Sequence, residues 1–277
     1  MRFLVSTTLW VAAIGSGCGF EHGQLENGDD SVDPQPDAGG TIVQPPGTGA
    51  RTCAYPDQQL KLCLEFNDGV INPIVRDGSS MQLDAQAVGL KATMRTTTPP
   101  DPAITMDASA SLSIMETPTL DITNAITIEA WIRPTRYLAS TIIGNQGQYR
   151  LTLNDAGFVG CEMAGKDVHS FSNATSIPPG EWHHVACTFD GSQVRVFVDG
   201  SSRDCARDAN PMISKTGTNG TKIAPDFTGD IDGVRIYARN LGGTNMLGST
   251  NELCAHANKT NCQRSCDSFG PGPGGDW

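Results

Sequence analysis

The sequence is poor in basic residues and in long hydrophobic stretches. Only 19 of its 277 residues are Lys or Arg, against 30 Asp and Glu, and the formal net charge is −11. A protein that binds nucleic acid needs a basic face, so this charge balance argues against a nucleic-acid partner. The apolar run at residues 3–14 is too short to span a bilayer, which takes about 20 residues.

The sequence also lacks the motifs of common catalytic sites. It contains no Gly-x-Ser-x-Gly elbow, no His-Glu-x-x-His and no P-loop. A glycosidase needs two carboxylates close together, whereas Glu129 stands alone in its predicted strand. His183 and His184 are adjacent in a strand and point to opposite faces. We therefore predict that the protein is not an enzyme; a glycosidase with an unrecognised site is the less favoured alternative.

The first feature that is present is a targeting segment. Residues 3–14 match the apolar core of a secretory signal, and small residues separate them from Cys18. The arrangement resembles a bacterial lipoprotein signal, in which the cysteine is lipidated, although Gly15 stands where that pattern prefers Leu, Val or Ile. We predict a signal peptide at residues 1–17 and a lipid anchor at Cys18, in the outer membrane or at the cell surface. Ordinary cleavage after Gly15 or Gly17, giving a secreted protein, is the alternative.

Residues 18–51 have the composition of a solvated tether. Between residues 19 and 50 there are six acidic side chains, no basic one, several Pro and Gly, and almost no large apolar residue. Such a segment cannot bury enough apolar surface to offset the entropy lost on ordering. We predict a disordered, acidic tether that holds the following domain away from a membrane.

The nine cysteines are consistent with export. If Cys18 carries the lipid, eight remain, enough for four disulfides in an oxidising compartment. The sequence does not determine their pairing. Plausible pairs are Cys53 with Cys63, Cys161 with Cys187 across neighbouring strands, and Cys205 with a cysteine of the tail. The disulfide candidates are Cys53, Cys63, Cys161, Cys187, Cys205, Cys254, Cys262 and Cys266.

Between residues 52 and 241 the dominant hydrophobic period is two. Apolar and polar side chains alternate along four clear stretches, at residues 60–66, 126–132, 184–189 and 194–199. This alternation is typical of strands with one face towards a core. Asp-Gly pairs at 190–191 and 199–200 are strong hairpin signals. The sequence therefore predicts an all-β fold of two packed antiparallel sheets.

Three motifs in this region resemble those of laminin G-like domains. They are the strand ITIEAWIRP at 126–134, the meander that begins GEWHHVA at 180–186, and the closing strand FTGDIDGVRIY at 227–237. The resemblance covers roughly residues 60–241 and implies the concanavalin A-like lectin/glucanase fold, an antiparallel jelly-roll sandwich, which we place at residues 52–241. Lectins, adhesion domains and glycosidases share that fold, so it does not settle function.

The strand phase and the resemblance together predict a calcium site. Asp68, after the first strand, and Asp232, at the start of the last, both fall on the inward phase of the alternation. In the laminin G-like family these two strands lie side by side, which would bring the carboxylates together, and such domains often hold Ca²⁺. Asp77 is a further candidate ligand. Capping of turn amides by each aspartate is the alternative.

Residues 242–277 form a cysteine-containing tail. Cys254, His256, Cys262 and Cys266 could in principle hold zinc, but their spacing lacks a Cys-x-x-Cys pair. Disulfides are the favoured interpretation because the chain is predicted to be exported.

These features together predict a non-catalytic lipoprotein of the cell envelope that presents a jelly roll for binding a glycan or an extracellular protein. A structural or adhesive envelope module without a small ligand is the alternative. Sugar sites usually stack rings on Trp or Tyr, and the chain has only four of each. Trp131 and Trp182 lie in family strands and are predicted to be packed. Tyr137 and Tyr149, which flank a loop, are the candidates for sugar contact.

Overall fold

The computed structural model describes residue 53 and residues 57–67, 73–97, 100–163, 169–171, 176–207, 213, 219–242 and 252–262. The first eight strands are β1 (Leu60–Leu64), β2 (Ile74–Val75), β3 (Ala85–Val88), β4 (Lys91–Arg95), β5 (Asp101–Met106), β6 (Ser111–Ile114), β7 (Ile126–Pro134) and β8 (Ser140–Asn145). The next eight are β9 (Tyr149–Leu153), β10 (Val159–Met163), β11 (His169–Phe171), β12 (His183–Phe189), β13 (Gln193–Val198), β14 (Ser201–Arg207), β15 (Thr221–Ile223) and β16 (Gly229–Tyr237). A 3-10 turn spans Pro118–Leu120, and one short helix, α1, spans Glu252–His256.

The strands form two antiparallel sheets of eight strands each. Sheet A has the order β14-β13-β12-β7-β16-β5-β4, and β1 also pairs with β16. Sheet B has the order β11-β10-β9-β8-β15-β6-β3-β2. The predicted two-sheet jelly-roll sandwich is therefore confirmed, and the first and last strands lie side by side as the family resemblance implies.

The core lies between the inner faces of the two sheets. In β7 the alternation is visible residue by residue: Ile126, Ile128, Ala130 and Ile132 are fully buried in the core cluster. The residues between them point to the opposite side, which we call the outer face of sheet A. Burying one Ile or Leu side chain contributes about 1.5–3 kcal/mol, so strands of this kind hold the sandwich together.

The turn between β13 and β14 shows the predicted hairpin chemistry. Asp199 and Gly200 are its two central residues, and both have positive φ, 50° and 72°. Positive φ at both positions defines a type I′ turn, which matches the twist of the flanking strands.

A β-bulge interrupts β16 and reverses its phase. Asp232 lies opposite Trp131, whereas Arg235 lies opposite Glu129, so β16 has one more residue than β7 in this interval. Gly233 accommodates the extra residue with a φ of +55°. Because one inserted residue moves every preceding side chain to the other face, Asp232 lies on the outer face. The prediction that Asp232 points inward is wrong for this reason.

Three disulfides are present among the described residues: Cys53–Cys63, Cys161–Cys187 and Cys254–Cys262. The first two confirm the predicted pairs. Cys161 in β10 and Cys187 in β12 belong to different sheets, so this bond joins sheet B to sheet A rather than neighbouring strands.

The remaining cysteines are only partly described. Cys205 is also disulfide-bonded, and its partner lies outside the described residues. Cys18 and Cys266 lie outside them too, so the predicted lipid on Cys18 stays a prediction.

Candidate binding face

The predicted calcium ligands are occupied by other partners where they are described. The Asp77 carboxylate accepts hydrogen bonds from the backbone N–H groups of Cys63, Ser79 and Leu83 at 2.7–2.9 Å. It thereby caps a loop, as the alternative interpretation held. The Asp232 carboxylate lies 3.1 Å from Nε of Arg95. Asp68 lies outside the described residues, so calcium binding stays a prediction.

Arginines supply the positive charge at the place where the first and last strands meet. Arg235 in β16 forms ion pairs with Glu65, just after β1, and with Glu129 at 3.2 Å. Arg95 in β4 pairs with Asp101 in β5 and with Asp232. The strand neighbourhood was predicted correctly, but the carboxylate that β1 brings to this face among the described residues is Glu65.

Burial raises the pKa of two of these carboxyl groups. The pKa of Asp232 lies well above its ordinary value because the group is buried, and the nearby charges of Asp101 and Glu65 act in the same direction against Arg95. Burial likewise raises the pKa of Glu65, although Arg235 opposes it. Burial, more than the neighbouring charges, therefore sets the direction of both pKa shifts.

The pKa of Glu129 is shifted in the opposite direction. Glu129 is fully buried on the outer face, and His184 Nε2 lies 3.2 Å from its Oε2 while His256 Nδ1 lies 2.8 Å from its Oε1. Burial alone would raise the pKa of Glu129, but the charges and hydrogen bonds of His256 and His184 hold it well below its ordinary value. Glu129 is therefore a paired residue of the sheet, and the prediction that it is not catalytic stays a prediction.

Residues 252–262 cover the part of the outer face that surrounds Glu129. We call this stretch the lid segment. Its Leu253 is fully buried in a second apolar cluster, and the ring of His256 stacks on Tyr237 with centroids 6.1 Å apart. The cluster contains Leu60, Cys63, Ala186, Phe197, Tyr237, Leu241 and Leu253.

A different part of the outer face remains partly open. Thr105 and Arg133 flank Asp230 on the two neighbouring strands: Thr105 donates to its Oδ1 at 2.6 Å, and Arg133 Nε donates to its Oδ2 at 2.7 Å. The Arg133 guanidinium lies 5.2 Å from the ring centre of Trp182. All but Asp230 are half-buried, so a ligand could reach them. We call this row of four residues the open row.

Trp182 contributes an unused donor to the open row. Its indole N–H is buried and has no hydrogen-bond partner within the described ranges. A buried donor without a partner costs about 1–3 kcal/mol; the half-buried remainder of the Trp182 side chain is the part that a ligand could reach. Trp131, by contrast, has the Arg95 guanidinium 4.4 Å above its ring and a T-shaped contact with the ring of His184, so one of its faces is already covered.

The two tyrosines proposed from the sequence differ in position. Tyr149 is fully buried and donates its hydroxyl hydrogen to the Leu120 carbonyl at 3.0 Å, so the prediction that it could contact a sugar is wrong. Tyr149 does flank a turn, but its side chain lies on the inward phase of β9, in the core cluster. Tyr137 is 43% exposed and stays a candidate.

The described residues contain one cluster of three candidate metal ligands, Cys53, Cys63 and Glu65. The two cysteines of this cluster form a disulfide with each other, so their thiolates are not free to bind a metal. Cys254 and Cys262 are bonded in the same way, which favours the disulfide interpretation of the tail over the zinc alternative.

Sequence reasoning did not place Arg95, Arg235 or His256 on this face. It also did not single out Thr105, Arg133 or Asp230 of the open row. Arg235 could have been found, since it stands in the last strand in phase with Tyr237. Arg95 and His256 reach the face from an edge strand and from the tail, and no local pattern links either to Glu129 or Asp232.

A family comparison now identifies the class of the protein. Residues 107–245, half of the chain, match a laminin G family model described as the concanavalin A-like lectin/glucanases superfamily. The chain therefore belongs to that superfamily. No curated protein sequence matches it.

Several solved structures have a similar fold. Domain 4 of AbnA, a GH43 extracellular arabinanase from Geobacillus stearothermophilus solved with arabinotriose, is 15% identical with a TM-score of 0.53, covering 72% of this chain and 98% of that one. The binding domain of Botulinum neurotoxin DC is similar in its complex with SialylT (12% identity, TM-score 0.52, coverage 74% and 52%) and with rat synaptotagmin II (14%, 0.50, 72% and 51%). The chain spans about half of these toxin domains, and at such identities the likeness shows the fold alone.

Two further observations bear on location. Disulfides of this number are typical of proteins exported to an oxidising compartment. Within the described ranges, no helix has the length and hydrophobicity needed to cross a membrane.

Proposed function

We propose that the protein is a non-catalytic binding module that is displayed at the cell envelope by a lipid on Cys18 and binds a glycan or an extracellular protein. The observation that carries the proposal is the open row on the outer face of sheet A. It combines a hydroxyl and a guanidinium that both donate to one carboxylate, that of Asp230, with a half-buried indole whose ring centre lies 5.2 Å from the guanidinium.

The chemistry of the open row suits a polar ligand. Carboxylate and guanidinium groups offer acceptors and donors to hydroxyl or amide groups, and the half-buried ring of Trp182 offers an aromatic surface. Domain 4 of AbnA was solved with arabinotriose, and the binding domain of Botulinum neurotoxin DC was solved with SialylT and with rat synaptotagmin II. They support a glycan or a protein as the ligand class without selecting between them.

The carboxylates support a binding role over catalysis. A glycosidase needs one acid to protonate the leaving group and a second carboxylate nearby, both in contact with substrate. Among the described residues of the outer face, Glu129 and Asp232 are almost completely buried, and each is held by an arginine or a histidine. The alternative, an adhesive module without a small ligand, predicts no specific binding at the open row.

The test is a binding screen with the mature protein against an array of oligosaccharides and a panel of extracellular proteins. Arg133→Ala and Trp182→Ala should each lower the binding of any positive probe at least tenfold. Arg150→Ala is the matched control, because Arg150 also pairs with an acidic residue, Glu162, but on sheet B. Equal loss in all three variants, or no loss in any, would contradict the proposed site.

A further inference from the structure

The lid segment is attached to the sheet by side-chain packing at one end. Leu253 and Ala257 are almost fully buried, and Leu253 packs into the apolar cluster with Ala186 and Phe197. The β13–β14 turn approaches so closely that a Cβ on Gly200 would lie 2.6 Å from the Cα of Cys254. The fit is therefore specific to this segment.

Polar contacts complete the attachment. His256 Nδ1 lies 2.8 and 2.9 Å from the two carboxylate oxygens of Glu129. At the start of the segment, Glu252 accepts hydrogen bonds from Arg239 at 2.7 and 2.8 Å. Because His256 and Leu253 are three residues apart on one helical turn, they present an imidazole and an aliphatic side chain to the same face.

The disulfide of the lid segment does not tie it to the sheet. Cys254 and Cys262 are bonded to each other, so the loop is closed on itself. The contacts described above between this segment and sheet A are non-covalent. Cys205 of β14 is disulfide-bonded to a cysteine outside the described residues, and its predicted partner is a tail cysteine, so release of the lid segment means local opening between such covalent links. A helix of five residues is too short to be stable alone in water, so its conformation depends on the disulfide and on contact with the sheet.

The surface under the lid segment can tolerate its departure. Glu129 keeps two partners that belong to sheet A, His184 and Arg235. Removal of His256 would therefore leave no unpaired buried charge. It would uncover an apolar patch around Tyr237 and Phe197, next to paired charges, which is the composition of a binding surface.

We propose that the lid segment is an autoinhibitory lid: it occupies the centre of the outer face of sheet A, and its release extends the binding surface from the open row to Glu129 and Tyr237. The effect of release on ligand binding rests on the proposed function, whereas the release itself can be measured without any ligand.

Hydrogen exchange of the wild-type mature protein tests the release. The amides of Ala257 and Lys259 donate within the segment, to Leu253 and Cys254. If the lid opens on its own, these amides exchange at least tenfold faster than those of β7 and β12. Exchange of both sets at one common rate would show that the segment unfolds only with the whole domain and would overturn the proposal.

Two variants refine this measurement. His256→Ala and the double variant Cys254→Ser/Cys262→Ser should accelerate exchange in the lid segment about tenfold or more, with the urea midpoint of the domain unchanged. His183→Ala is the control, because His183 is a histidine paired with a carboxylate, that of Asp199, away from Glu129. If the urea midpoint of the domain falls and the loss of unfolding free energy accounts for the faster exchange of the lid amides, the segment is part of the core and not a lid.

The oligosaccharide array tests the consequence. The His256→Ala protein should bind its positive probes about tenfold more tightly than the wild type, or bind probes that the wild type does not. Wild-type and variant proteins with identical binding would overturn the autoinhibitory role. If neither binds any probe, the proposed function and this role both fail, while the exchange result still decides whether the lid opens.

Discussion

The carboxylate of Glu129 accepts hydrogen bonds from His184 in the neighbouring strand and from His256, 127 residues away in the tail. Both imidazoles reach the same fully buried group. The strand motif that identifies the family and the tail that follows the matched region therefore meet at one residue. Glu129 thus connects β7 to β12 through His184 and to the lid segment through His256.

Removing the charge of Glu129 should strongly destabilise the domain. Glu129→Ala leaves the Arg235 guanidinium without one of its two ion pairs in a buried position, and breaking a buried pair costs about 3–5 kcal/mol. Urea denaturation measures the change in the free energy of unfolding. The control is Glu162→Ala, which removes a partly exposed partner of Arg150 and should cost less than about 1 kcal/mol. Equal losses in both variants would show that Glu129 has no special role.

The stability of the protein should respond to pH with opposite signs at two carboxyl groups. The folded-state pKa of Glu129 is lowered, so its contribution is complete above about pH 4.5 and is lost as the pH falls towards the folded pKa. The pKa of Asp232 is raised, so the folded state loses stability as the pH rises above about 4.

Asp232→Asn should therefore raise the free energy of unfolding at pH 7 relative to wild type and have little effect at pH 4. Thermal melting at the two pH values measures the difference. Glu129→Gln is the comparison and should be more destabilising at pH 7 than at low pH. If Asp232→Asn lowers stability at pH 7, the ion pair with Arg95 outweighs the cost of burial and this account of Asp232 is wrong.

Calcium binding by Asp68, Asp77 and Asp232 is tested by melting in calcium and in chelator. A bound ion stabilises the native state by RT ln(1 + [L]/Kd), about 2.7 kcal/mol at a hundredfold excess over Kd. A site requires a higher melting temperature in calcium and the loss of that difference in Asp232→Ala. Both Asp77 and Asp232 would have to exchange their present partners. Identical melting of the wild type under both conditions would remove the site.

Lipidation is tested in cells. Cys18→Ser should move the protein from the membrane fraction to the soluble fraction, because the lipid is the predicted anchor and the acidic tether should not itself bind a membrane. A substitution in the tether, Ser31→Ala, is the control. Membrane association that survives Cys18→Ser would contradict the lipoprotein interpretation.

Much of the sandwich could be predicted because its strands follow a local rule. Alternation places Ile128 and Ala130 in the core without any knowledge of their partners. The same rule failed at Asp232, because the bulge at Gly233 adds one residue to β16 and so moves Asp232 to the opposite face of the sheet. The Asp-Gly turn at 199–200 was predicted correctly because its two residues alone favour the required positive φ.

The candidate site was less predictable, because it depends on contacts between distant segments. Glu65, Arg95 and His256 come from β1's end, an edge strand and the tail. Their meeting is a consequence of sheet order, which the period of two does not encode. The open row has the same origin: Thr105 and Asp230 are 125 residues apart in sequence and become neighbours only when β5 pairs with β16.

The most direct measurement of the central claim is a titration of the strongest array probe into the mature wild-type protein, Arg133→Ala and Arg150→Ala. The account predicts saturable binding by the wild type and by Arg150→Ala with the same Kd, and a Kd at least tenfold higher for Arg133→Ala. Loss of the guanidinium should cost roughly 1.4 kcal/mol or more, which is tenfold in affinity. Equal Kd values for all three proteins would contradict a binding site on the outer face of sheet A.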